Sequence, residues 1–421
     1  MVKHKSVLIS ALLLGTALLC GCNDASVENI SADNVAIEFS WWGNDNRHAY
    51  TMDGVDLFQD ISDNILVNCR YGEWSGYEKR NRVWMESNTE SDVMQINYAW
   101  LTSYSADGTG YYDLYTLGDY IDFDQFDETD LQYGERNGKL NAIPIAFNTS
   151  TIGYNEDIFK KYNLEYPTTW EDFFTVAEVL REDGIYTLGM EKKHMLLMLI
   201  AYYEQTYGKN VFTEDGKLLI DREGIGYMLD FYIRLIDEKV LMPINQFERA
   251  KFGSGECAGS VFWISDADNY CKTLVSNDYT PHIGAYPSVS GSLLTGIYMK
   301  PATMYAISSI TDYPEESAKL LNFLLNNEEM ILLQGTEKGV PVSKKAVEIL
   351  KENDQLNSYG YKAYEQMQTV KEKLNVMIPI MESEDIIDAF KTVADKYIYD
   401  VADRDDCIEE IYTAIAEIVG E

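Results

Sequence analysis

Positive charge is what this chain most lacks: Lys and Arg number 34 against 69 Asp and Glu, a formal net charge of −35. A surface of that sign stays soluble and repels polyanions, so nucleic acid and anionic polysaccharide are poor ligand candidates. Histidine is scarce too, with 4 in 421 residues. His194 has no ligating residue at metal spacing beyond Glu191, so it reads as structural or surface. Outside the N-terminus the cysteines are Cys69, Cys257, Cys271 and Cys407, with no zinc spacing and no disulfide framework. Only a Cys257–Cys271 bridge stays open. Nucleophile elbows, zinc motifs and phosphate loops are all missing. No cofactor is expected.

The N-terminus is an address rather than a fold element. Lys3 and Lys5 precede an apolar run, Val7 to Leu19, too short to span a bilayer in the ordinary way. The run ends in Leu19-Cys20-Gly21-Cys22, which resembles a bacterial lipobox. That pattern implies a signal peptide over residues 1–21 and a diacylglycerol on Cys22. The small and polar residues up to 34 then form a tether, able to reach on the order of 40 Å when extended. The body would sit at the cell surface, anchored to the outer face of the cytoplasmic membrane. What remains exceeds the size one core usually serves, so two lobes are expected.

One pattern recurs inside the body. Val35, Ile37 and Phe39 alternate with Ala36, Glu38 and Ser40 as in a strand, then come Trp41, Trp42, Gly43, Asn44, Asp45, Asn46 and Arg47. A second apolar strand, Asp92 to Asn97, runs into Tyr98, Ala99 and Trp100. A third, Phe252 to Ile264, reaches Trp263 and then Ser265, Asp266 and Asn269. Open α/β sheets bind ligands at the carboxyl ends of strands. Aromatic faces beside amides and charges there suit a sugar, which has an apolar C–H face and a hydroxyl rim. Trp42 and the polar residues after it are expected to meet water, and Trp41, on the opposite face of the strand, to be core. Trp74 lies in an aromatic Gly-rich loop, Tyr71 to Tyr77.

Other stretches read as scaffold. Asp122, Asp124 and Asp127 lack the Gly and terminal Glu of a calcium loop, so they are solvated turn and helix-start residues. Lys139 to Asn155 reads as a long strand passing between lobes. Thr168 to Glu171 matches a capping box for a helix carrying Trp170, Phe173 and Phe174. Pro314, Glu315 and Glu316 open a helix that ends by Asn327. Helices dominate after Gly339-Val-Pro-Val-Ser343.

Taken together, the lipobox, Phe39-Ser-Trp-Trp-Gly43, Asp92 to Asn97, Leu140 to Ile145 with Gly153-Tyr-Asn155, Pro167 to Trp170, Ser254-Gly255 before Trp263, Pro314 to Leu325 and Gly339 to Ser343 resemble the substrate-binding lipoproteins of carbohydrate ABC transporters, the maltodextrin-binding-protein-like family. The resemblance implies an α/β, two-lobed clamp of the periplasmic-binding-protein type (type II), crossing between lobes near Ala146, Gly296 and Gly339. Lobe 1 would hold 35–146 plus 297–338, and lobe 2 would hold 147–296 plus 339–421. It implies a monomer that binds a neutral oligosaccharide in the cleft, closes on it and serves ABC permease subunits. Carried over, the ligand contacts would come from Trp42, Asn44, Arg47, Trp74, Asn97, Tyr98, Trp100, Trp263, Asp266, Tyr298 and Lys300. Trp42 and Trp263 would face each other across the cleft.

Each tryptophan covering a pyranose face removes about 100 Å² of apolar surface from water, roughly 2–3 kcal/mol. Two or three such platforms, less ordering costs, allow micromolar affinity, about −8 kcal/mol. The rival readings are a secreted glycosidase and a polyamine- or peptide-binding lipoprotein. A glycosidase needs two carboxylates at a set separation, and at these strand ends Asp266 stands alone.

Overall fold

The computed structural model describes residues 34–420. The expected signal peptide, the lipidation site Cys22 and all of the tether but its last residue lie outside the described residues. No described helix is long and apolar enough to cross a membrane.

Three parallel strands begin the fold: β1 (Val35–Trp42), β2 (Ile65–Gly72) and β3 (Val93–Ile96). Each is followed by a helix, α1 (Asp45–Ile61), α2 (Tyr77–Ser87) and α3 (Tyr98–Ser105). Ile37, Phe39 and Trp41 are buried on one face of β1, as their alternation demands. They pack with Tyr50, Val55 and Phe58 of α1 and with Ala318, Leu321 and Leu324 of a later helix, Pro314–Asn326. Pro314 stands in its first turn with Glu315 and Glu316, as expected.

The two halves of the molecule share one sheet. β4 (Ile143–Asn155) is buried along all 13 residues, because each half covers part of it. The order is completed by β5 (Tyr186–Gly189), β6 (Cys257–Trp263), β7 (Pro281–Gly284), β8 (Tyr298–Ile307) and the short β9 (Asn375–Val376). The path runs β2-β1-β3-β8-β4-β6-β5, with β7 beside β4 and β9 beside β8. The first part of β4 pairs with β8, the second part with β6 and β7. β8 in turn pairs with β3 at Met304 to Ile307. A third connection passes Gly339, whose φ of +100° and close approach to Ala146 (a Cβ there would lie 2.9 Å from that of Ala146) both demand glycine.

The second half has a larger core, built on Ile152 and Tyr154 of β4. It is covered by α4 (Trp170–Leu180), α5 (Lys192–Tyr207), α6 (Arg222–Asp237) and two C-terminal helices, Glu384–Ile398 and Arg404–Val419. The helix Tyr359–Gln368 joins a second core layer there with Phe147, Phe262 and Tyr270.

Two expectations shift, and one open question closes. The capping box of α4 is Thr169 with Asp172, one residue later than the sequence suggests, because the Asp172 carboxylate reaches the Thr168 and Thr169 N–H groups at 2.9 and 2.8 Å. Ala346, Ile349 and Leu350 pack on Ile331, so the helix ending at Glu352 packs against the first half, whereas 339–421 was expected in lobe 2. Cys257 and Cys271 are buried free thiols, Cys257 against the Met242 sulfur and Cys271 in the core with Phe262 and Tyr270.

Candidate ligand-binding cleft

Because β1, β2 and β3 run parallel, Trp42, Gly72 and Ile96 finish at one edge. The loops after them are therefore neighbours, which is what places the expected aromatic residues together. Trp42 lies 5.1, 5.6 and 5.4 Å from Trp74, Tyr77 and Trp100, ring centre to ring centre. Trp74 and Trp100 stack nearly parallel. The cluster turns its rings on one another, so Trp42 is only 7% exposed and Trp100 is buried, while Trp74 stays 46% exposed as its lid. Trp42 therefore does not meet water as expected; its strand-end position is occupied, but its ring is packed under Trp74. Trp41 is core, against Phe39 and Tyr71.

Tyr98, at the start of α3, points the other way. It lines a groove of about 670 Å³ with Thr102 and Arg136 from the first half. Facing them are Asn210 to Glu214, Tyr298, and the segment from Leu374 to Met381. A second hollow of about 510 Å³ adjoins it across Tyr98 and Val376, with Asp130, Tyr133 and Lys371 among its walls. Arg136 lies 5.6 Å over the Tyr98 ring and donates to the carbonyl of Glu135 at 2.6 Å, which fixes the guanidinium. Lys371 pairs with Asp130 at 2.6 Å; burial raises the Asp130 pKa, against the pull of Lys371. Tyr298 is held from behind by Glu204, whose oxygens lie 2.7 and 2.8 Å from its hydroxyl.

A hinged pair of halves around a lined groove is a binding architecture, and the relatives agree. The family model described as bacterial extracellular solute-binding protein matches residues 49–331. The chain belongs to this family. Its fold is that of a type II solute-binding protein. A periplasmic solute-binding protein from Pectobacterium atrosepticum is similar at TM-score 0.82 and 26% identity, covering 91% of this chain and 98% of that one. An oligogalacturonide-binding protein from Yersinia enterocolitica, in complex with saturated digalacturonic acid, gives TM-score 0.78 and 29% identity over 91% of this chain and 98% of that one. An arabinooligosaccharide-binding protein of Bacillus subtilis is 26% identical over 125 residues, 29% of this chain and 28% of that protein. The chain spans about half, 46%, of the length of a curated Brucella abortus binding protein that it matches at 23% identity over 193 residues, 44% of this chain.

Within this solute-binding protein the remaining sequence candidates fall in separate places. Asn44 and Asn97 are helix N-caps, accepting from the N–H groups of Arg47 (2.9 Å) and Ala99 (3.0 Å). Their side chains start α1 and α3. Arg47 donates to the Glu337 carbonyl at 2.5 Å, beside the third connection. Asp266 is tied to Arg249 at 2.6 Å. Trp263 lies 4.8 Å from His194, with the Lys300 ammonium 5.3 Å from its ring. Lys300 pairs with Glu382, which Lys193 also approaches at 3.4 Å, and burial lowers the Lys300 pKa. His194 is buried against Ser150, 3.1 Å away, and burial depresses its pKa to about 3. The described residues hold no group of three or more metal-ligating side chains.

Of the eleven candidates, Tyr98 and Tyr298 line the groove. Sequence reasoning missed Arg136, Asn210 to Glu214 and Leu374 to Met381. They lie in loops and two-residue strands too short to carry hydrophobic periodicity, so no pattern signalled them.

Proposed function

We propose that this solute-binding protein holds an oligosaccharide between its halves and delivers it to an ABC importer. The observation that carries the reading is the groove itself, walled from both halves at Tyr98 and Tyr298 where three connections form a hinge. Relatives named for arabinooligosaccharide and oligogalacturonide binding support a sugar. Arg136 and Glu214 are the charged residues lining the groove, one of each sign, a balance that suits a neutral ligand. The free face of Tyr98 is one platform for a pyranose or furanose ring. Trp74 on the first half and Trp263 with Lys300 on the second reach the sugar as the halves close. The body is anchored through Cys22 to the outer face of the membrane, and Cys22→Ser releases it or leaves an unprocessed precursor.

Glycoside hydrolysis is the competing chemistry, since Glu204 beside the groove has its pKa raised by burial to about 7, as a general acid would. That carboxyl is fully buried behind Tyr298, out of reach of a glycosidic oxygen. The deciding experiment is a thermal-shift screen with arabinotriose, maltotriose, cellotriose and digalacturonate, followed by chromatography of the sugars. A neutral oligosaccharide at a hundred times its Kd adds about 2.7 kcal/mol and is recovered intact. No stabilisation by any sugar, or shortened products, overturns the reading.

A further inference from the structure

The groove does not end at Tyr98. Tyr98 and Val376 also line the second hollow, so the two spaces meet along that seam. Val376 is 45% exposed there, an apolar side chain left bare between polar walls. The hollows measure about 670 and about 510 Å³. Each falls in the range of roughly 300–1,000 Å³ that takes a drug-sized molecule, and a disaccharide is of that size.

The lining of the second hollow suits a sugar in its own right. Tyr133 lies 6.3 Å from Tyr98, ring centre to ring centre, with the two planes turned by 56°. Buried Phe147 meets Tyr133 in a T-shaped contact at 4.8 Å and fixes its ring. Tyr133 is half-buried, so part of that ring remains free as wall. Thr129 and Gln132 from the first half and Gln368 from the second bring a hydroxyl and two amides beside it. These groups both donate and accept, as sugar hydroxyls require. The groove repeats the combination, with Asn210 beside Tyr98 and Tyr298.

The far end is closed. Asp130 of the first half and Lys371 of the second pair at 2.6 Å, with their side chains only 6% and 19% exposed. Both residues also line a third hollow, beside Val342 and Lys344. The ion pair is therefore a partition between the second and third spaces. Parting two largely buried charges is costly, so the partition holds. Charge selects there as well. Asp127 is offset by Lys344 at 2.9 Å and Asp130 by Lys371, which leaves Glu372 as the wall charge without an ion-pair partner among the described residues. A uronate carboxylate would meet an excess of negative charge in this space.

We propose that the two hollows form one extended site for a neutral oligosaccharide of about four units, two to each hollow. Tyr133 is the platform of the second part, and the Asp130–Lys371 pair is its stop. This rests on the groove being the sugar site. Tyr98 stands at the junction, so a chain stacked on its ring continues past Val376 to Tyr133. Each unit that covers an aromatic or apolar wall removes further C–H surface from water, so affinity rises with length until the stop is reached. Both halves wall the second hollow, so closure narrows it together with the groove.

The test is calorimetric titration with arabino- and malto-oligosaccharides, each from disaccharide to hexasaccharide. In a series that binds, the tetrasaccharide should bind at least about tenfold more tightly than the disaccharide. The hexasaccharide should bind no more tightly than the tetrasaccharide, and galacturonate chains should gain nothing from lengthening. Tyr133→Ala, its melting checked first, should shrink the gain to below about threefold. A disaccharide as tight as the tetrasaccharide overturns the extended site and leaves the groove reading standing. A gain that continues to the hexasaccharide overturns the stop, and an equal gain with galacturonates overturns the charge selection. A full gain in Tyr133→Ala removes Tyr133 from the site. Should that variant fail to fold, saturation-transfer NMR of the parent decides. Saturation reaching every unit of a bound tetrasaccharide supports the proposal, and saturation confined to two units overturns it. If neither series binds at any length, the sugar reading falls and the extension falls with it.

Discussion

Two strand ends carry the same sequence signature and end in opposite surroundings. Trp42 closes β1 and sinks among Trp74, Tyr77 and Trp100. Trp263 closes β6 and stays half-buried beside His194 and the Lys300–Glu382 pair. The first edge is an aromatic nest that satisfies itself; the second is polar and holds ions away from water. A strand end fixes where a tryptophan is, and the side chains that neighbouring helices bring to it decide whether its ring turns inward. In the first half α3 supplies Trp100 to receive it. In the second half α5 supplies a histidine instead.

That contrast breaks most visibly in stability. Trp42→Ala should cost about 3–5 kcal/mol of unfolding free energy, the usual loss for a buried aromatic residue. Denaturant melting reads it; a near-parental midpoint with weak sugar binding would put Trp42 in the site after all. The His194 environment gives the next effect. Its folded pKa is depressed from 6.5 to about 3 by burial, so its contribution is complete above about pH 6.5 and lost as pH falls toward 3. The loss is on the order of a few kcal/mol, and His194→Asn should flatten that part of the stability profile in urea titrations.

Trp74 sharpens the comparison, since it is the exposed member of the nest. Trp74→Ala should cost about 1–2 kcal/mol of sugar affinity, roughly five- to thirtyfold in Kd, with a small change in midpoint. Equal affinity in calorimetry would confine the first half's contact to Tyr98. Smallest is Asn44→Ala: removing the cap of α1 should lower stability by about 1 kcal/mol and leave Kd alone. A loss of affinity there instead would give Asn44 the ligand role its sequence position suggests.

Much of the frame was legible because it obeys local rules. The alternation in β1 and Pro314 with its two glutamates each settle an element from a few residues. The long strand through Pro144 was legible too, from its mostly apolar and β-branched residues, and it is buried along its whole length. The groove was not. Arg136 sits in a two-residue strand, Asn210 to Glu214 is a loop, and Leu374 to Met381 holds only the short β9 and the start of a 3-10 turn; the tertiary fold alone brings them together. Glu204 did leave a signal: a lone carboxylate near the end of a buried helical run.

The central claim is that the sugar lies between the halves and draws them together. Small-angle X-ray scattering tests it most directly, with the protein alone and saturated with a sugar whose binding calorimetry has already established. A fall in the radius of gyration on saturation, abolished with affinity by Tyr98→Ala, is the predicted result. An unchanged radius with the bound sugar would contradict it, placing the ligand on one half alone.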